Sequence, residues 1–289
     1  MDVINIECTL DSGQVFLWYK RGGSYYIICS ENVVRIEPSY EQLVHESKPR
    51  YVSVERLFRL DDDTHVINHS IGDKDALIGE AVKRFKGLRI MRQDPFQCLI
   101  SFICATNTRI VRVRHMLEGI CKRFGNKVEF DGLTFHTFPS PKALQDASIN
   151  DLVDCGLGYR ARFVKYAVHS YLDMDVKSLL DGSYDEVRDI LLSIDGVGNK
   201  VADCIMLFSL EKLEAFPIDV WIWRVIAKYY RHLVGMDMDE ARKLSPNMYR
   251  RASSIMRGYF GSYAGYAQQY LYCYARAYMY DDDINTYNK

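Results

Sequence analysis

The sequence has no apolar run that approaches the roughly eighteen residues of a membrane-spanning helix. Around Met1, Asp2 and Glu7 it also lacks the basic start and apolar stretch of a signal peptide. We therefore expect no membrane partner and a site of action inside the cell. The 289 residues are 48% hydrophobic, which suffices for a sizeable core arranged in two subdomains.

An excess of positive charge is missing as well. The chain has 37 Lys and Arg residues against 38 Asp and Glu residues, for a net charge of −1. A broad electrostatic grip on nucleic acid is not expected, because nucleic-acid-binding domains are commonly strongly basic. Any DNA binding must depend on local positive charge, for which the candidates are Arg109, Arg112, Arg114, Arg160 and Arg162.

The sequence contains no Cys-x-x-Cys pair. Its eight cysteines are too scattered to indicate a zinc or iron-sulfur site by spacing, at Cys8, Cys29, Cys98, Cys104, Cys121, Cys155, Cys204 and Cys273. His65 and His69 are four residues apart, but the glutamate of a zinc-protease motif is absent. We expect neither a metal nor a cofactor.

Strand-like patterns are confined to the first part of the chain. β-Branched and aromatic runs at residues 3–6, 15–19, 25–29 and 33–36, separated by turn residues, predict an antiparallel meander. From about residue 75 the apolar spacing becomes helical, as in the amphipathic helix from Ile110 to Phe124 behind a capping Thr106 or Asn107. The predicted fold class is α+β: an N-terminal antiparallel β-sheet domain over residues 1–80, then an all-helical domain over residues 81–289.

The most informative segment is a helical hairpin at about residues 184–210. Apolar residues spaced along one face predict a first helix from Tyr184 to Leu192, and Gly196 and Gly198 permit a tight reversal before a second helix through Val201 and Phe208. Glycines beside a helix N-terminus leave backbone N–H groups that suit a phosphate oxygen. The segment fits neither a Walker loop nor a dinucleotide fingerprint, so we favour a DNA phosphate; a simple helix connection is the alternative.

Lys200 stands in the first turn of the second helix, where a cation opposes the helix dipole. A nucleophilic lysine would need its pKa lowered by roughly 3 units to be neutral near pH 7, and a helix N-terminus with partial burial acts in that direction. Asp219 follows nineteen residues later and is expected to cap a helix that starts at Val220. Paired with Lys200, it also suits a carboxylate that stabilises a developing sugar cation.

These residues carry a family resemblance. Residues 194–204, Ile-Asp-Gly-Val-Gly-Asn-Lys-Val-Ala-Asp-Cys, followed by Pro217-Ile218-Asp219-Val220, resemble the helix-hairpin-helix DNA glycosylases, and most of all the 8-oxoguanine DNA glycosylases. Further segments match that family in order, namely Ser12-Gly13-Gln14, Gln93-Asp94-Pro95-Phe96, residues 101–107, residues 156–162 and Tyr263-Ala264-Gly265-Tyr266-Ala267-Gln268. The resemblance runs from about residue 8 to about residue 275.

The resemblance implies a role for each matching residue. Lys200 is the nucleophile and Asp219 the stabilising carboxylate, while the damaged base lies between Cys204 and Tyr272, with Gln268 reading its edge. The Gly13 carbonyl accepts a hydrogen bond from the N7–H that 8-oxoguanine has and guanine lacks. The residues implied to contact DNA are Asn107 in the vacated space, Arg112 and Arg160 on the orphaned cytosine, Tyr159 beside it, and Gly196 and Gly198.

The implied activity is that of a bifunctional glycosylase and abasic-site lyase. It would act as a monomer on duplex DNA containing 8-oxoguanine, with cytosine as the opposite base. Two departures stand out: Trp221 lies where better-known members of the family have histidine, and Tyr272 where phenylalanine is frequent. Two alternatives stay open, a related glycosylase for another damaged base and a DNA-binding module without catalysis.

Overall fold

The structure is a computed structural model that describes residues 4–38, 43–237, 239, 241 and 243–279. Its N-terminal part contains a four-stranded antiparallel meander of β1 (Trp18–Arg21), β2 (Ser24–Cys29), β3 (Asn32–Glu37) and β4 (Val44–Lys48), in that spatial order. A helical part with one further hairpin, β5 (Lys127–Phe130) and β6 (Leu133–His136), follows. This confirms the predicted fold class and adds the small hairpin to the part expected to be all helical.

The α-helices are α1 (Ile6–Asp11), α2 (Val54–Leu57), α3 (Thr64–Gly72), α4 (Ala76–Arg84), α5 (Pro95–Cys104), α6 (Ile110–Phe124), α7 (Pro141–Gln145), α8 (Ile149–Asp154), α9 (Arg160–Leu172), α10 (Val176–Asp181), α11 (Tyr184–Leu192), α12 (Asn199–Ser209), α13 (Val220–Val225), α14 (Arg231–Val234), α15 (Pro246–Phe260) and α16 (Ala264–Tyr278). A π-helical segment, Ile226–Tyr230, continues α13 into α14. No described helix combines the length and the hydrophobicity needed to span a bilayer.

Both faces of the central strands are buried. Tyr25 and Ile27 of β2 belong to a small N-terminal core, whereas Tyr26 and Ile28 belong to the large core of the helical part. Because successive side chains of a strand point to opposite faces, β2 joins the two cores. The sheet is therefore packed against the large core to which the hairpin helices also contribute.

The N-terminal pattern was partly misinterpreted. Instead of a strand over residues 3–6, of which residue 3 lies outside the described part, α1 begins at Ile6 because Asn5 accepts a hydrogen bond from the Cys8 N–H at 2.9 Å. The strand expected over residues 15–19 pairs only from Trp18 onward, and β4 was not predicted. Local capping by Asn5 outweighs the strand propensity of the apolar residues beside it.

Helices also begin earlier than residue 75, at Val54 and Thr64, where Ser53 and Asp63 cap α2 and α3. The predicted helix α6 has the expected bounds, but the expected cap by Thr106 or Asn107 is wrong. Its N-cap is Arg109, without a side-chain hydrogen bond. Asn107 instead has a left-handed backbone, with φ of +47°.

The hairpin has the predicted form. Helix α11 runs from Tyr184 to Leu192 behind a capping box in which Ser183 and Glu186 bond each other's backbone N–H groups. Helix α12 follows from Asn199 after the glycine turn. These local signals place Lys200 at the second position of α12.

Candidate active site and DNA-binding surface

The two glycines of the hairpin turn have different structural requirements. Gly196 has φ of +91°, and a Cβ built on it would lie 2.6 Å from Cβ of Phe163 on α9. Gly198 has φ of −96° with ψ of −179°, is exposed, and would meet nothing within 4 Å of an added Cβ. Packing thus explains Gly196, whereas Gly198 leaves open space at the N-terminus of α12, where the backbone N–H groups suit an anion.

Lys200 is half-buried, and its Nζ lies 4.8 Å from the ring centroid of Phe102 on α5. Phe102 in turn stacks on Phe208 of α12, with ring centroids 5.5 Å apart. The amine thus lies against one of two buried, stacked phenylalanine rings. One helical turn further along α12, Cys204 is buried, and burial raises the pKa of its thiol to about 12, so it is a neutral thiol.

Asp219 caps α13, as predicted. Its Oδ1 accepts hydrogen bonds from the N–H groups of Trp221 at 3.0 Å and Ile222 at 2.9 Å. Burial raises the pKa of Asp219, while the Ile222 bond and the charge of Lys200 act in the opposite direction. The charge of Lys200 thus acts on the Asp219 carboxylate, although the two residues belong to different helices.

Of the residues predicted to line the base pocket, Gly13 lies on the N-terminal loop, and Gln268 and Tyr272 lie on α16. A Cβ built on Gly13, which has φ of +75°, would lie 2.7 Å from Oη of Tyr272, so this loop and α16 are in contact. Burial raises the pKa of Tyr272, and the charge of Asp219 raises it further. Gln268 lies one turn before Tyr272 and is buried, and its Oε1 accepts a bond from Nε2 of Gln269 at 3.0 Å.

Sequence reasoning missed the side chain that shapes the Gly13 loop. Gln14 is fully buried; its Nε2 donates to the carbonyls of Thr9 at 3.2 Å and Arg89 at 2.9 Å, and its Oε1 accepts from the Met91 N–H at 2.7 Å. The Gln14 carbonyl also accepts from Nε2 of Gln93 at 2.7 Å. Its place in the matching Ser12-Gly13-Gln14 segment was the available signal. These bonds fix the direction of the neighbouring Gly13 carbonyl.

A second missed residue is Asp203, buried on α12 between Lys200 and Cys204. The hydroxyls of Tyr184 and Tyr249 each donate to its carboxylate at 2.5 Å. Burial raises the pKa of Asp203 to about 6, although the two tyrosine hydrogen bonds act against this rise. The available signal was an aspartate within the run from Val201 to Phe208, whose other residues are apolar.

Apart from the two glycines of the hairpin, the residues expected to contact DNA lie on or near the loop that precedes α6. Arg160 is buried; its Nε donates to the Thr106 carbonyl at 3.2 Å and its Nη2 to the Asn107 carbonyl at 3.4 Å. Asn107 and Tyr159 are exposed, and the Arg160 guanidinium lies 4.5 Å from the Tyr159 ring centroid. Arg112 is exposed on the first turn of α6. Asn107, Tyr159 and Arg160 therefore form one local group, and Arg112 lies on the helix that follows the Asn107 loop.

Trp221, the departure noted in the sequence, is half-buried and packs against the main core. The Arg224 guanidinium lies 5.0 Å from its ring centroid. An indole cannot take up a proton as an imidazole can, so this position offers apolar surface and an N–H donor rather than a titratable base. Within the described residues, no three His, Cys, Asp or Glu side chains are grouped so as to hold a metal ion.

Two protein-family models match adjoining parts of this chain. The model of the 8-oxoguanine DNA glycosylase N-terminal domain matches residues 2–99, and that of the HhH-GPD superfamily of base excision DNA repair proteins matches residues 100–246. A probable N-glycosylase/DNA lyase of Methanothermobacter thermautotrophicus is 34% identical over 77% of this chain and 74% of its own length. The N-glycosylase/DNA lyase OGG1 of Arabidopsis thaliana is 29% identical over 93% of this chain and 76% of its own length.

A solved structure extends the likeness to three dimensions. The 8-oxoguanine glycosylase/lyase of Clostridium acetobutylicum, in complex with double-stranded DNA containing cytosine opposite 8-oxoguanine, superimposes with a TM-score of 0.85. The two proteins are 31% identical, and the match covers 96% of this chain and 93% of that one. The chain therefore belongs to the HhH-GPD superfamily of base excision DNA repair proteins, within the family of the 8-oxoguanine DNA glycosylases.

Proposed function

We propose that this protein is a bifunctional base excision repair enzyme that removes 8-oxoguanine lying opposite cytosine in duplex DNA and then cleaves the strand at the abasic site. The observation that carries the proposal is the assembly around α16: Tyr272 lies against the Gly13 loop, and α16 packs on α13, whose N-cap Asp219 has a carboxylate on which the charge of Lys200 acts. The relatives named N-glycosylase/DNA lyase and the Clostridium complex support the same activity.

Lys200 is the proposed nucleophile. Its neutral amine attacks C1′ of the damaged nucleotide, the N-glycosidic bond breaks, and the base leaves with the bonding electrons and takes up a proton. Opening of the sugar ring gives a Schiff base, and loss of a C2′ proton then expels the 3′ phosphate by β-elimination. Asp219, fixed by its two backbone hydrogen bonds, stabilises the positive charge that develops on the sugar.

Base selection is proposed to depend on Gly13. The N7–H of 8-oxoguanine donates a hydrogen bond to the Gly13 carbonyl, whereas guanine presents an acceptor there, at a cost of roughly 1–3 kcal/mol. Cys204 and Tyr272 hold the two faces of the base, and Gln268 binds its edge. The hydroxyl of Tyr272 lies next to Gly13, so it borders the same end of the pocket.

DNA binding is proposed to use the hairpin turn and the residues around the Asn107 loop. Backbone N–H groups at Gly196 and Gly198 hold a phosphate, Asn107 fills the space that the flipped base leaves, and Tyr159 wedges beside it. Arg112 and Arg160 contact the orphaned cytosine. We place the protein, as a monomer, with the DNA of the cell: in the nucleoid of a prokaryote or the nucleus of a eukaryote.

Borohydride trapping tests the nucleophile. In an 8-oxoguanine duplex, reduction should give a covalent complex with the unaltered protein and with Lys177→Gln, which changes an exposed lysine on α10. Lys200→Gln should give none. Trapping that survives Lys200→Gln would overturn the assignment.

A panel of duplexes tests the substrate. We expect fast release of 8-oxoguanine opposite cytosine and slower release opposite the other three bases. Preferential release of an alkylated or oxidised pyrimidine base would favour the related glycosylase for another lesion. Lesion binding without release of any base would favour a DNA-binding module.

A further inference from the structure

Asp203 has two hydrogen-bond donors that belong to different helices. Tyr184 on α11 donates to Oδ1 and Tyr249 on α15 donates to Oδ2, each at 2.5 Å. The Arg257 guanidinium lies 3.2 Å from the centroid of the Tyr184 ring and, with Arg188, adds positive charge near the carboxyl. Burying a carboxylate costs free energy even when it is hydrogen-bonded, and an apolar residue would avoid that cost. A role for Asp203 beyond stability would account for it.

Tyr249 connects Asp203 to the catalytic turn, the segment of residues 217–219 that ends at Asp219. Its hydroxyl accepts a hydrogen bond from the backbone N–H of Ile218 at 3.1 Å, and Ile218 immediately precedes Asp219. An ionised carboxylate only accepts hydrogen bonds, so the hydroxyl hydrogen of Tyr249 must point to Asp203. The oxygen lone pairs are then directed at Ile218, which is itself buried.

The result is a continuous link between the two catalytic groups. It starts on α12, which carries Lys200, passes through Asp203 and the Tyr249 hydroxyl, and ends on the backbone beside Asp219. Tyr184 makes an equivalent bond to Asp203, but no backbone N–H of the described catalytic turn bonds to its hydroxyl. Both tyrosines donate to Asp203, but only the Tyr249 hydroxyl also accepts a hydrogen bond from Ile218, whereas the Tyr184 ring lies against the Arg257 guanidinium.

We propose that Asp203 and Tyr249 are positioning residues that set the distance and direction of the Asp219 carboxylate relative to Lys200. This inference rests on the proposed role of Asp219 in stabilising the sugar cation. Neither residue touches the substrate: Asp203 is enclosed in the core, and Tyr249 acts through the backbone of Ile218. Geometry at the reacting centre is critical, because displacements near 1 Å can change rates by about 100-fold.

The matched variants Tyr249→Phe and Tyr184→Phe test it. Each keeps the aromatic ring in the core and removes one bond of the same length to Asp203, so a merely structural role predicts similar losses of stability and of rate in both. We expect Tyr249→Phe alone to lower the single-turnover rate of 8-oxoguanine excision, by about 10- to 100-fold. Its dissociation constant for a duplex with an uncleavable lesion analogue should stay within about twofold of the unaltered value, because the DNA-contacting residues are unchanged.

The assay is run at a temperature at which circular dichroism shows both variants to be folded. Equal rates in the two variants, or a full rate in Tyr249→Phe, would overturn the positioning role. Asp219→Asn, measured in parallel, separates this inference from the proposed function. A slow Asp219→Asn with a full-rate Tyr249→Phe refutes only the positioning role, whereas a full-rate Asp219→Asn refutes the catalytic role on which it rests.

Discussion

Replacing Gly198 by alanine should weaken DNA binding without weakening the fold. The backbone of Gly198 is extended and an added methyl group meets nothing within 4 Å, so no strain or overlap opposes it. Reduced freedom of the unfolded chain stabilises the variant by about 0.4–1 kcal/mol, and the poorer N-cap offsets this by a similar amount. The free energy of unfolding should stay within about 1 kcal/mol of the unaltered value.

Gly196→Ala is the matched control, because the same methyl group is added two residues earlier. With φ of +91° the variant carries a left-handed backbone strain of about 1–2 kcal/mol. The overlap with Cβ of Phe163, at 2.6 Å, adds roughly 1–3 kcal/mol. We expect a loss of about 2–5 kcal/mol in the free energy of unfolding, measured by urea denaturation with the slope m held in common.

DNA affinity should fall more in Gly198→Ala than in Gly196→Ala, because the methyl group on Gly196 is directed at Phe163 and that on Gly198 at the open space before α12. If a phosphate oxygen approaches the backbone N–H groups at Gly198, the added methyl group blocks a hydrogen bond to a charged group, which contributes about 1.5–3 kcal/mol. The dissociation constant for DNA should then be roughly 10- to 100-fold larger. Fluorescence anisotropy with a labelled duplex, at fixed salt and a temperature at which both variants are folded, measures it. A Gly198→Ala protein that binds DNA as tightly as the unaltered protein would refute the assignment of the phosphate site.

Three further outcomes follow from the same geometry. Gly13→Ala, strained by φ of +75° and directed at the Tyr272 hydroxyl, should slow 8-oxoguanine excision roughly tenfold or more in single-turnover assays; an unchanged rate would contradict the proposed carbonyl contact. Arg112→Ala should reduce the preference in excision rate for cytosine over adenine opposite the lesion, by about 1–3 kcal/mol when expressed as a free energy. Equal slowing opposite both bases would argue for a phosphate contact instead. Asp203→Asn should change the pH dependence of stability, because the Asp203 pKa of about 6 in the folded state, against 3.8 unfolded, lets the folded state keep a proton that the unfolded state has lost. As the pH rises from about 4 to above 6, the free energy of unfolding of the unaltered protein should fall by about 3 kcal/mol relative to that of the variant. Parallel curves of stability against pH from urea denaturation would refute this.

Much of the hairpin was predictable from neighbouring residues. The start of α11 follows from the capping box of Ser183 and Glu186, and the start of α12 from the glycine turn. The start of α13 follows in the same way from the capping Asp219, and all of these signals act over two to four residues. The wrong prediction of the α6 cap, in contrast, involves a distant residue. Asn107 was predicted to cap α6, but Arg160, 53 residues away in sequence, bonds its carbonyl in a loop where Asn107 is left-handed.

The sequence by itself determined the α+β class, the hairpin, and the positions of Lys200 in the first turn of α12 and of Asp219 at the N-cap of α13, because capping and periodicity depend on residues close along the chain. Only the tertiary structure decided what holds these groups in place. The anchors of the Gly13 loop join Gln14 to Met91 across 77 residues, and the Asp203 link joins α12 to Tyr249 across 46. Such bonds form only after the chain has folded back on itself, so no local pattern specifies which distant partner a buried glutamine or aspartate will meet.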